Sequence, residues 1–85
     1  MTLVFKYPIY ITEFQVISMP YGARIIHAGL DNENIPCVWA QVNPSGQKQD
    51  IKVWVVDTGV PLPDGIDKHV GTFLYDNRVI KHVFI

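Results

Sequence analysis

Helices are excluded first. No window of eleven residues places apolar side chains at i, i+3, i+4 and i+7 without also containing a proline, a glycine or a β-branched run. Two-residue alternation takes the place of that pattern. In residues 3–11, Phe5, Tyr7, Ile9 and Ile11 fall on one side and Lys6, Pro8, Tyr10 and Thr12 on the other. Pro8 has no backbone donor, which places this strand at an edge or a bulge. Further extended segments are expected at 14–19, 24–30, 36–42, 50–56, 69–75 and 79–85, with 50–56 the most β-branched.

Turn signals separate these segments. Met19-Pro20-Tyr21-Gly22-Ala23 is a turn in which Gly22 can take a positive φ, and residues 31–34 form a reversal. Residues 43–49 read as a polar hairpin loop, and Asp76-Asn77-Arg78 as a tight turn in which Asn77 tolerates a left-handed conformation. Residues 57–67, DTGVPLPDGID, hold two Pro and two Gly and form the longest loop. No connection supplies a parallel crossover, so antiparallel pairing follows. The expected fold is all-β: a small antiparallel curled sheet or partly open barrel of five to seven strands, with little or no helix.

A chain of 85 residues supports one small domain, residues 1–85, because it cannot divide its burial between two cores. The single cysteine, Cys37, forms no internal disulfide and no thiolate cluster, so association between copies is the remaining common stabiliser, and a homo-oligomer is expected. A formal charge of −1 with scattered Lys and Arg disfavours general nucleic-acid binding and attraction to an anionic membrane. The N-terminal stretch lacks a signal-peptide core and no run is long enough to span a bilayer, so a cytoplasmic protein is expected.

Neither face of several strands is plainly polar. Val38, Ala40 and Val42 share one face of their strand, Cys37, Trp39 and Gln41 the other; Ile51, Val53 and Val55 oppose Lys52, Trp54 and Val56. One explanation is a curled sheet whose outer face is partly covered by the N-terminal segment. The other is an exposed patch built from Trp39, Trp54 and some of Tyr10, Tyr21, Tyr75 and Phe84, used for oligomerisation or a ligand.

Chemistry-bearing residues are sparse. Val55-Val56-Asp57-Thr58-Gly59 matches the short loop that positions the carboxylate of dimeric aspartic proteases, but no glycine-rich flap or bracing apolar-Gly-Arg segment accompanies it. The ordinary reading is a turn closing a strand. His27, His69 and His82 follow no compact ligand spacing, so no metal site is assigned, and no cofactor motif is present. Cys37, beside Pro36 and Val38, reads as an inert buried thiol. Asp64 and Asp67 read as solvated turn residues. Thr58-Gly59 and Asn77-Arg78 are the two places where backbone donors beside a hydroxyl or guanidinium could contact an anion.

The ordered segments Met19-Pro20-x-Gly22-Ala23, Ile35-Pro36-Cys37-Val38-Trp39-Ala40, Thr58-Gly59-x-Pro61-Leu62-Pro63, Gly71-Thr72-Phe73 and His82-Val83-Phe84 resemble a family of small, uncharacterised domains carried by bacteriophages and prophages. The resemblance spans residues 5–84 and implies no catalytic residue. It implies a viral or prophage setting, in which small proteins without an enzyme motif commonly act by binding. The leading expectation is therefore a non-enzymatic accessory protein that contacts a host macromolecule, with Trp39, Trp54, Tyr10, Thr58, Gly59, Pro61, Arg78 and His82 as its binding residues. The alternative is a sponge for a small phosphorylated ligand such as a cyclic oligonucleotide, with Arg24, Arg78 and Lys81 supplying charge. Weaker alternatives are a dimeric protease using Asp57 and a structural role in a virion.

Overall fold

The computed structural model describes residues 1–85 and contains seven strands and no helix. They are β1 (Leu3–Pro8), β2 (Phe14–Pro20), β3 (Arg24–Leu30), β4 (Pro36–Val42), β5 (Lys48–Asp57), β6 (His69–Tyr75) and β7 (Val79–Phe84). They form two antiparallel sheets, ordered β1-β4-β3 and β2-β5-β7-β6, and no closed barrel. No helix is long and apolar enough to cross a membrane.

Alternation decides what enters the core. Val38, Ala40 and Val42 of β4 face Val53 and Val55 of β5, joined by Met19, Ile25, Ala28, Phe73 and Val83 in one buried cluster between the sheets. Each bulge inserts a residue that resets this alternation. The β3–β4 register slips between Ile25 and His27, so that Ile25 and Ala28, three apart, both point inward. A second slip between His69 and Gly71 brings Gly71 opposite Val83 on the core side and leaves Thr72 opposite His82 on the outer side.

Three expectations change here. Residues 43–47 do not close a hairpin: β4 pairs with β1 and β3, β5 with β2 and β7, so the loop carries the chain from one sheet to the other. Burying the inner faces of both strands against each other removes more apolar surface from water than pairing them edge to edge. The first strand stops at Pro8, not Ile11, because the chain must cross to the second sheet before β2. Nor does the N-terminal segment cover an outer face. It is the edge strand β1, as Pro8 required, and the bond from Ile9 N–H to the Pro36 carbonyl (2.9 Å) sets the parity of the ladder so that the nitrogen of Pro8 faces away from β4.

The turns follow their residues. Gly22 sits at φ 81°, and Asp76 and Asn77 are both at φ 54° in a turn closed by Arg78 N–H on the Tyr75 carbonyl (3.1 Å). Positive φ at both central positions is what primed hairpin turns require. Between β3 and β4, Asp31 Oδ1 accepts the N–H groups of Glu33 (2.8 Å) and Ile35 (2.9 Å), while its Oδ2 accepts from Lys6 Nζ of β1 at 2.9 Å. One carboxylate thus holds a turn and ties it to an edge strand.

Candidate functional site

The outer face of the second sheet carries a continuous chain of polar side chains. Thr58 Oγ1 lies 2.7 Å from His82 Nε2, Thr72 Oγ1 lies 3.0 Å from His82 Nδ1, and the same Thr72 oxygen lies 2.8 Å from His69 Nε2. Thr72 and His82 are direct cross-strand partners in the β6–β7 hairpin, and Thr58 follows the end of β5, the next strand over. A neutral imidazole donates through one nitrogen and accepts through the other, so the hydroxyls and His82 form a chain of one direction. With both nitrogens of His82 protonated, both threonines accept from it and Thr72 still donates to His69. The array is satisfied in either charge state.

Apolar groups border it. Leu74 and Ile80 are partners in the same hairpin, 45 % and 40 % exposed. On the other side runs an aromatic row across the sheet: Phe14 against Trp54 (ring centroids 5.4 Å apart), then Phe84, then His69 against Phe84 (5.2 Å). Residues 58–68 lead from β5 to the far edge strand β6, and Gly65 comes within reach of the Trp54 indole on the way. Its end is held by the N–H groups of Asp67 and Lys68 on the Ile85 carbonyl (2.7 and 2.8 Å).

The residues expected from sequence are dispersed. Thr58 and His82 are brought together; Gly59 (φ 87°) and exposed Pro61 follow Thr58 in the loop. Trp54 is only 8 % exposed, and Trp39 is half-buried on the outer face of the other sheet, where it packs against His27 (5.6 Å). The single Trp39–Trp54 patch therefore does not exist, since the two indoles lie on opposite outer faces. Tyr10 is 79 % exposed in the link between β1 and β2, and Arg78 is exposed in the β6–β7 turn. His27 is separated from His69 and His82 by the whole core, and no group of three or more His, Cys, Asp or Glu is placed to hold a metal ion.

Nor do the cations converge. Lys81 is bonded to Asp57 (2.5 Å) beside a cleft of about 270 Å³ lined by Ile11, Thr12, Glu13, Val55 and Val60 among others. Arg24 begins β3, whereas the opposite end of that strand, Leu30, borders a second cleft with Asp76 and Asn77. Within the chain, Asp57 is therefore paired with an ammonium. Cys37 is fully buried, and desolvation pushes its thiol pKa up, with neighbouring Asp31 adding to the effect.

Thr72 is the site residue that sequence reasoning passed over, and His69 was weighed there only as a metal ligand. The signal was present: a tight turn at 76–78 folds the hairpin so that Thr72 meets His82. The bulge that lets His69 reach the same hydroxyl has no comparable mark.

The model of a family described as a domain of unknown function, DUF7352, matches residues 1–85, and the chain belongs to that family. No curated protein and no solved structure matches it.

Proposed function

We propose that this DUF7352 protein is a non-enzymatic binding domain of viral or prophage origin, which engages a host protein in the host cytoplasm through the outer face of its second sheet. The observation that carries this reading is the hydrogen-bonded chain Thr58–His82–Thr72–His69, held on the paired strands β6 and β7 and the turn after β5, next to the exposed pair Leu74 and Ile80. Preorganised polar groups beside exposed apolar ones are the composition of an interface centre, because little side-chain freedom remains to be lost on association. The viral origin rests on the ordered motifs from Met19-Pro20-x-Gly22-Ala23 to His82-Val83-Phe84. A sponge for phosphorylated ligands is less well supported, since Lys81 is engaged by Asp57 and Arg24 and Arg78 stand apart.

The test uses immobilised wild type beside Thr72→Asp and Leu74→Ser variants in clarified lysate of the host bacterium. Stoichiometric retention of one host protein by wild type, lost in both variants, is expected. Retention of nothing, or equal retention by the variants, overturns the reading. A rise in thermal midpoint with one member of a cyclic-oligonucleotide panel would establish the sponge instead.

A further inference from the structure

Two sheets have four edge strands, and three of them are protected. β3 and β6 come together at one side of the sandwich, where Gly71 lies against the Ala28 backbone. β1 carries Pro8 on its free side, a missing donor that blocks edge pairing, and Lys6, whose ammonium is held by Asp31, is the other outward-facing position beside it. β2 is the fourth.

The bonds from Val55 N–H to the Glu13 carbonyl (3.1 Å) and from Tyr21 N–H to the Gln47 carbonyl direct the odd-numbered residues of β2 toward β5. Phe14, Val16, Ser18 and Pro20 consequently turn their backbone groups away from the sheet, and Pro20, the last residue of the strand, offers no donor there, which leaves Phe14, Val16 and Ser18 as the open pairing positions. From Phe14 to Met19 there is no charge and no proline, and Phe14 and Val16 are 46 % and 50 % exposed.

We infer that β2 is the dimerisation edge of this protein, pairing antiparallel with β2 of a second copy about a two-fold axis at Val16. A second copy fits because the edge is self-complementary. Centred on Val16, the axis sets Val16 against its own counterpart and Phe14 against the counterpart of Ser18, so each of these three residues meets another of the three, and Pro20 lies beyond the paired positions. About six backbone hydrogen bonds form, two per pair. No like charges oppose one another, a condition that the Lys6-bearing edge of β1 does not meet so freely. The product is a continuous eight-stranded sheet, four strands from each copy, with isologous symmetry. The contact is narrow, which places the dissociation constant on the order of micromolar. This inference does not rest on the host-binding reading: its surface is the β2 edge, whose failure is read separately from retention by the Thr72 and Leu74 face.

Native mass is measured by sedimentation from about 1 to 300 μM, a range that brackets that affinity. Wild type is expected to pass from one chain of 9.7 kDa to twice that mass. Val16→Lys, which places two ammonium groups at the axis, is expected to remain a single chain throughout while retaining its circular dichroism and thermal midpoint. Val16→Cys gives an independent readout. Directly opposed residues of a bonded antiparallel pair hold their β-carbons about 5.5 Å apart, too far for a relaxed disulfide but within reach of a short bifunctional thiol cross-linker, so treatment with one should yield a covalent dimer that Ser45→Cys does not. A one-chain mass at every concentration, a dimer that survives Val16→Lys, or no cross-link from Val16→Cys overturns the proposal.

Discussion

The backbone of Gly71 lies so close to that of Ala28 that a β-carbon built on Gly71 would stand 2.2 Å from the Ala28 carbonyl oxygen and 2.9 Å from its β-carbon. This contact joins β6 of one sheet to β3 of the other, and no side chain there can swing aside. Gly71→Ala should therefore destabilise the fold by about 2–3 kcal/mol, at the upper end of overpacking costs. Urea denaturation measures it; an unchanged midpoint would show that the sheets can separate at this corner without penalty. Gly22 offers a contrast, with no atom within 4 Å of its added β-carbon but a φ of 81°. Gly22→Ala should cost only the left-handed strain, about 1 kcal/mol.

Asp31 makes stability depend on acid pH. The hydrogen bond from Lys6 is the largest influence, followed by those from the backbone of Ile35 and Glu33, and together they lower its carboxyl pKa from 3.8 to about 2. The folded state favours the carboxylate, so this stabilisation is complete above about pH 4 and is lost as pH falls through about 2. Thermal midpoints followed over that window should drop more steeply for wild type than for Asp31→Asn. Parallel curves would mean that the Lys6–Asp31 pair contributes nothing to the acid transition.

Cys37 should resist alkylation. It is fully buried, its Sγ donates weakly toward Asp31 Oδ2 (3.8 Å), and burial favours the neutral thiol. At pH 8 the native protein should react with iodoacetamide on the order of a hundredfold more slowly than in denaturant, because reaction needs both thiolate and access. Comparable rates would mean that the β1–β4 region opens readily.

Thr72 is the hub of the histidine chain. Thr72→Val removes the hydroxyl shared by both rings while keeping the shape, and at this exposed position the stability cost should stay below about 1 kcal/mol. Imidazole nitrogen resonances of His69 and His82 should both move, while that of His27, on the other sheet, should not. Movement of one ring alone would break the chain as described.

Much of this arrangement was legible beforehand, and the reasons differ by residue. Pro8 announced an edge because a proline nitrogen cannot donate to a ladder. Asn77 and Gly22 announced turns because few residues tolerate positive φ, and the structure places both there. Trp54 was misleading: its strand showed an apolar outer face, which reads equally as an exposed patch or as a surface covered by something else. Phe14 packs against the indole and Gly65 of the 58–68 loop comes within reach of it, and the glycines and prolines of that loop mark it without saying where it lies.

Local chemistry thus determined the seven extended segments, the positions of the turns and the face of β4 that enters the core, since alternation and backbone freedom are properties of neighbouring residues. Pairing was decided elsewhere. Whether β5 lay beside β4 or across from it, whether Thr58 reached His82, and which edge stayed open depended on how two sheets bury one common core. That choice is set by contacts between residues far apart in the chain, and a two-residue period marks faces without recording which strand each face will meet.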